Sequence, residues 1–432
     1  MESTILYTTM IGTILILGVI LGGIVFRYAD VFITANRGGE IAAPRYVEFN
    51  VRRIMQFFVI ALLTRALLLL AGYLWFMTAH NGAGLGNGFF TDFARIFSKW
   101  DAPHYVDIAV EGYVTNGDHA NFIVFYPLLP LLLKFFSFIC GDVFFAGTII
   151  SVLCMTFAGY FLFILVKNHY SEHAAWTAAL LLMLNPLSIF FSIAYTEALF
   201  IMLVCGCALY ASRQRYLVAG CFAFFAALTK NQGLLLFLLI AAQAFVSPAV
   251  LIELTSKRIG RGILVFLKKA WPALLCLAGF FVYLLVNFIV WGDWFKFLEI
   301  QQGHWYNSLD FMWNTVATIV KNMLNPSSFS SGVFIFGLEF VALLAVFGLI
   351  AYAVFKKTVQ PTYLLFAVAF VILSYSATWT ISGARYLSAL FVSYMILASF
   401  PDKKGLLRTG LVAASSALAV FFTLAYVNGS IL

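Results

Sequence analysis

Apolar runs close to the length of a bilayer's hydrocarbon core recur along almost the whole chain, and they leave a soluble fold too little polar surface to cover itself. A helix needs roughly 20 such residues, at 1.5 Å each, to cross a membrane. With 63% hydrophobic residues, 10% charged residues and a mean hydropathy of +0.97 over 432 residues, the expected fold class is all-α, a polytopic transmembrane helical bundle. Charges, glycines and prolines bound twelve expected spans, near 5–27, 54–78, 143–166, 174–191, 197–212, 216–230, 233–248, 270–290, 332–354, 362–381, 386–400 and 408–427. Of these, 216–230 and 386–400 are short for a crossing and suit tilted or broken helices.

No basic stretch precedes the first run and no small-residue cleavage site follows it, so a retained span is expected rather than a removed signal peptide. Six cysteines (Cys140, Cys154, Cys205, Cys207, Cys221 and Cys276) fall in or beside apolar segments without metal-like or paired spacing, and read as small core residues. The net charge of +8 arises from short blocks between spans rather than one basic stripe, which argues for membrane orientation and against a nucleic-acid partner. Eighteen cations, Arg45, Arg53, Lys403 and Lys404 among them, fall on one side of the expected topology. Seven fall on the other (Arg95, Lys99, Lys134, Lys230, Lys296, Lys321, Arg385), and Arg65 lies inside a span. The side rich in cations is expected to be cytoplasmic.

Segment 122–140 is apolar enough to cross, but Pro127 and Pro130 interrupt it and a crossing would reverse everything downstream. It is expected to be re-entrant or interfacial. Two large extracytoplasmic loops, 79–121 and 291–331, then carry many of the aromatic residues, Trp100, Tyr105, Trp305 and Tyr306 among them; Trp379 and Tyr386 belong to a shorter turn. An aromatic belt at headgroup level accounts for about half of such residues. On the cytoplasmic side, 249–269 reads as an amphipathic helix on an anionic leaflet.

Four constellations carry the candidate chemistry. The first is Asp101, flanked by Trp100, His104 and Tyr105, with Asp107 and Glu111 following at helical spacing. A carboxylate in a partly dehydrated cleft can act as general base toward a hydroxyl, and an aspartate ahead of Pro103 can equally be a helix N-cap. His104 can orient a hydroxyl, contact a phosphate or be satisfied locally; oxygen-rich metal sites need more converging ligands than this loop offers, so no metal is expected. The second is Glu197 at the start of a helix, where capping by Thr196 or Ser192 is the plain alternative to a place on the cleft rim. The third is Lys230, a phosphate ligand or a snorkelling cation. The fourth joins Gln302 and Trp305 in the second large loop to Arg385 and Tyr386, where the arginine fork matches phosphate oxygens. Together they suit an anionic phosphate leaving group, a hydroxylated ring stacked on aromatics, and a base.

The blocks Trp100-Asp101-Ala102-Pro103-His104-Tyr105, Gly112-Tyr113, Phe125-Tyr126-Pro127-Leu128-Leu129-Pro130, Asn185-Pro186 through Tyr195-Thr196-Glu197, and Ala384-Arg385-Tyr386-Leu387 resemble the GPI mannosyltransferase 2 (PIG-V-like) family and its prokaryotic relatives, over roughly residues 56 to 400. That resemblance implies a GT-C-type membrane glycosyltransferase moving mannose, or a related hexose, from a polyprenyl-phosphate carrier to a lipid-linked or cell-surface acceptor on the extracytoplasmic side. It further implies inversion, no cofactor, and Asp101 at the position of the acidic residue in the first loop. Lys230 stands where the family pattern has arginine, and residues 1–53 have no counterpart in it. The expected division is an extra span with a basic linker (1–53), a catalytic membrane module (54–400) and a last span (401–432), in a bacterial plasma membrane rather than the endoplasmic reticulum. The rival reading is a polyprenyl-lipid flippase or solute transporter without catalytic activity, against which stands the scarcity of ionisable groups inside the spans beyond Arg65 and Glu339.

Overall fold

A computed structural model describes residues 2–37, 49–378, 381–402 and 405–431. Arg45, Lys403 and Lys404 of the cation tally and Trp379 of the aromatic set lie outside the described residues. The protein is an integral membrane bundle of helices, and among the described residues the only β pairing is one isolated bridge, Leu309 to Ala377.

In chain order the helices begin with α1 (Glu2–Asn36), α2 (Val51–Ala79), α3 (Phe89–Phe97), α4 (Asp101–Glu111), α5 (Leu128–Cys140), α6 (Val143–Lys167) and α7 (Glu172–Met183). They continue with α8 (Thr196–Ser212), α9 (Tyr216–Ala227), α10 (Leu236–Phe245), α11 (Pro248–Thr255), α12 (Ile259–Ala270), α13 (Leu275–Trp291), α14 (Lys296–Gly303) and α15 (Met312–Leu324). The last are α16 (Leu338–Lys356), α17 (Pro361–Ser374), α18 (Gly383–Leu387), α19 (Phe391–Ala398) and α20 (Leu406–Val427). Their starts follow local chemistry. The side chains of Asn50, Asp142 and Ser171 accept from backbone N–H groups of Arg53, Phe145 and Ala174 at the heads of α2, α6 and α7, while prolines open α11 and α17.

Among the described residues six helices are long and apolar enough to cross a membrane: α1, α2, α6, Ile259–Trp291, Ser331–Lys356 and α20; two bent pairs would bring the number to eight. The remaining expected spans form shorter helices. Segment 174–191 is α-helical only to Met183, because Asn185 turns back on the chain: its side-chain amide donates to Leu182 O and its side-chain oxygen accepts from Leu187 N. Likewise 362–381 ends as a helix at Ser374, and 386–400 divides between α18 and α19. The break after Met183 is buried among other helices, and that between α18 and α19 largely so, where protein groups satisfy the freed backbone. Segment 122–140 bends by 113° between Asp118–Val124 and α5. Its turn is held by α9 and α13: Leu128 N donates to Leu228 O (3.1 Å), Tyr283 OH to Ile123 O (2.9 Å), and Tyr126 stacks on Tyr283.

Contacts sort the connections into two ends. At one, Arg53 and Lys167 share Glu172 (2.8 Å each), Arg27 donates to Ala353 O and Val359 O, and Tyr170 OH donates to Thr358 O. At the other, Lys99 Nζ donates to Val427 O (2.6 Å), Tyr195 OH to Lys99 O (2.9 Å) and Trp305 Nε1 to Asn121 O (3.2 Å). The first end carries the α11–α12 hairpin with Arg258, Arg261, Lys268 and Lys269; the second carries the helical loop of α3 and α4. Four of the six cysteines are buried, Cys140 is half-buried, Cys221 is exposed, and all are free.

Candidate active site

Four charged side chains from four distant parts of the chain meet at the second end. Arg385 Nη2 donates to Asp101 Oδ2 at 2.7 Å; Arg385 Nε lies 3.3 Å from Glu197 Oε1; Lys230 Nζ donates to that same Oε1 at 2.7 Å. The charges alternate along this line, so each cation is flanked by carboxylate. Accessibility does not alternate: the Asp101 side chain is 30% exposed, against 13% for Lys230, 5% for Arg385 and 1% for Glu197. Asp101 is the carboxylate a second molecule can reach.

Each residue is placed by its own backbone. Trp100 adopts φ of +56°, a left-handed conformation uncommon for a bulky residue and costing on the order of 1–3 kcal/mol. Helix α4 then starts at Asp101, whose carboxylate points to Arg385, so the N-cap alternative does not describe it; the residue at the cap is Trp100, with no side-chain cap bond. Glu197 begins α8 beside Thr196, whose hydroxyl lies 3.4 Å from Glu197 Oε2. Lys230 fills the break between α9 and the turn Asn231–Leu235. Gly233 lets that turn lie on α9: a Cβ there would stand 2.3 Å from the Ala226 carbonyl carbon. Arg385 sits in the one-and-a-half-turn helix α18, fixed from α16, where the buried carboxylate of Glu339 accepts from Ala384 N (2.9 Å) and Tyr375 OH (2.8 Å). Arg65, also buried, holds the neighbouring turn by donating to Met183 O (2.8 Å) at the carbonyl end of α7 and to Phe191 O (3.3 Å) at the end of the turn Ser188–Phe191.

Aromatic rings enclose the cations. Phe190, Tyr195 and Tyr386 lie 5.2–5.4 Å from the Arg385 guanidinium, and Lys230 Nζ lies 4.3 Å from the Tyr386 ring. Burial works against the charge on Arg385, but Asp101 and Glu197 more than offset it and hold its pKa above the ordinary value. For Lys230 burial prevails and lowers the pKa, with Glu197 opposing. Burial also lowers the His104 pKa, against Asp101 and Asp107. Its Nδ1 is buried without a hydrogen-bond partner, and its ring packs on Phe122 (4.4 Å), Phe125 (5.2 Å) and Trp305 (5.6 Å). Trp305 thus ties the second loop to the first, while Thr378 N donates to Ser308 O (2.9 Å) and joins the second loop to the segment that follows α17.

Of the residues singled out in the sequence, Asp101, Glu197, Lys230, Arg385 and Tyr386 come together directly, and Tyr105 lies buried beneath them. His104 and Trp305 form the adjoining aromatic wall; Trp100 is 41% exposed at the rim. Gln302 is exposed on α14 and joins none of these contacts. Asp107 and Glu111 turn toward His119 rather than His104, with Glu111 Oε2 2.8 Å from His119 Nδ1. Among the described residues no three His, Cys, Asp or Glu side chains converge as metal ligands. Sequence reasoning missed Phe190 as a neighbour of the charged line and Glu339 as the anchor of α18; a carboxylate inside a span was the available signal for the latter.

No family model matches the chain. Two curated relatives do in part: GPI mannosyltransferase 2 of Drosophila pseudoobscura pseudoobscura, 29% identical over 112 residues (23% of this chain, 24% of that protein), and GPI mannosyltransferase 2 of Schizosaccharomyces pombe, 30% identical over 142 residues (32% and 29%). The matches therefore span less than a third of those relatives' length. Among solved structures, the oligosaccharyltransferase of Archaeoglobus fulgidus is similar in two forms. The form with zinc and sulfate is 14% identical at a TM-score of 0.40, covering 74% of this chain and 48% of that one. The form tethered to an acceptor peptide with an NVT sequon is 12% identical at 0.42, covering 86% and 55%.

Proposed function

We propose that the protein is a GT-C-type membrane glycosyltransferase that moves mannose or a related hexose from a polyprenyl phosphate to an acceptor hydroxyl at the extracytoplasmic face. The observation that carries this reading is the charged line itself, with one reachable carboxylate, Asp101, beside two enclosed cations. The partial likeness to GPI mannosyltransferase 2 supports it.

In the proposed reaction Asp101 accepts the proton of the acceptor hydroxyl as its oxygen bonds to the sugar's anomeric carbon. The bond from that carbon to the phosphate oxygen breaks on the opposite face, so the sugar inverts. The electron pair leaves with the phosphate, whose growing charge Arg385 and Lys230 neutralise where little water competes. His104 and the rings of Trp305 and Tyr386 form the wall against which a sugar ring stacks, with Tyr105 packed behind them. A cleft of about 290 Å³, lined by Tyr306, Thr315, Thr318, Ile319, Asn322, Phe336, Thr378 and Ile381, opens at the same end; its uncharged hydroxyl and amide groups suit a neutral glycan acceptor. The abundance of cations at the opposite end supports the outward orientation, and a bacterial plasma membrane is the membrane proposed.

Detergent-purified protein incubated with radiolabelled polyprenyl-phosphate mannose and a membrane lipid extract is expected to label a lipid-linked or glycan product. Arg385→Ala is expected to raise the donor KM more than it lowers kcat. Label confined to the donor would refute the reading.

A further inference from the structure

We propose that Asp101 and the donor's phosphate compete for one edge of Arg385, so that donor binding itself releases the carboxylate that takes the acceptor's proton. The inference rests on the glycosyltransferase reading and adds an order of events to it.

Exposure makes the Asp101 side of Arg385 the phosphate's way in. The faces of the guanidinium are lined by Phe190, Tyr195 and Tyr386. Its Nε edge belongs to Glu197, which is buried and held a second time by Lys230. On the side that opens outward, Nη2 is taken by Asp101 through Oδ2. Asp101 is also the most exposed member of the line, so its carboxylate gives way at the least cost in desolvation. Arg385 Nε, buried and 3.3 Å from Glu197 without an aligned hydrogen bond, marks a guanidinium whose bonding is incomplete and which a small rotation can improve. An anion arriving at Nη2 would stand against the Asp101 carboxylate on the same cation, and two like charges at that range repel. The exchange moves the phosphate onto Arg385 and frees an Asp101 lone pair for the acceptor proton; no covalent bond changes at this step. Proton abstraction is thereby tied to a donor in place.

The test is the affinity of purified protein for farnesyl phosphate in detergent, measured by calorimetric titration. Asp101→Ala and Asp101→Asn are expected to bind about tenfold more tightly than wild type, the worth of one charge-assisted hydrogen bond no longer opposed. Asp107→Asn, which removes an equal charge further along α4 beside His119, is expected to bind as wild type does. Arg385→Gln is expected to lose binding. Unchanged or weaker binding by both Asp101 variants, or equal tightening by Asp107→Asn, would overturn the competition. Farnesyl phosphate binding to none of the proteins would overturn the phosphate site, and with it the reading beneath.

Discussion

Arg385 Nη2 and Asp101 Oδ2 stand 2.7 Å apart although 284 positions separate them in the chain. The pair joins the first helical loop to the turn after α17. Behind it lies a less forgiving contact: Glu197, 1% exposed, whose closest cation is Lys230.

Breaking a buried pair by removing one partner leaves an uncompensated charge, at a cost of roughly 3–5 kcal/mol when fully buried. Lys230→Met is therefore expected to lower stability by about 3 kcal/mol, at the low end because Arg385 remains near Glu197. The double variant Lys230→Met with Glu197→Gln should recover most of that loss. Thermal unfolding in detergent measures both; equal losses in the single and double variants would show the pair to be worth nothing.

Glu339 acts on the site through α18 rather than by touching it. Glu339→Ala removes the acceptor of Ala384 N and Tyr375 OH. A displaced Arg385 should raise the donor KM by about tenfold, since one charged hydrogen bond to the donor is weakened. Glu339→Gln keeps an acceptor oxygen and should retain most donor affinity. Equal kcat losses in both variants with unchanged KM would assign Glu339 to folding alone.

The spacing of Trp100 through Glu111 announces a short helix with acids on it, and the basic blocks announce two faces of a membrane. Neither says that Asp101 meets Arg385 or that Lys230 meets Glu197, because periodicity reports which side of one helix a residue takes and nothing about partners dozens to hundreds of positions away. The same limit explains the spans. An apolar run such as 174–191 looks continuous in composition, whereas Asn185 and Pro186 end the helix inside it and bury the turn. Glu339 looks like an isolated charge in a span until Ala384 and Tyr375 are seen beside it.

His119 ties the end of α4 to the following turn. Its pKa is raised, first by the hydrogen bond with Glu111 and then, against burial, by the charges of Asp107, Glu111 and Asp118. A raised histidine contributes stability that is fully present below its ordinary value, about 6.5, and lost as pH climbs through the folded-state value. Residues 112–124 should therefore lose hydrogen-exchange protection, corrected for intrinsic rates, as pH rises from about 6 to about 8. His119→Gln should flatten that dependence. Protection that rises with pH in the wild type would contradict the assignment.

The central claim concerns the proton. Asp101→Asn keeps size and shape but removes the acceptor of a proton, and general-base catalysis is worth about 10²- to 10⁴-fold. Initial rates of mannose transfer from polyprenyl-phosphate mannose, at saturating donor, should fall by at least about 100-fold in this variant while the protein stays folded and bound to farnesyl phosphate. Transfer at the wild-type rate by folded, donor-binding Asp101→Asn would contradict the account.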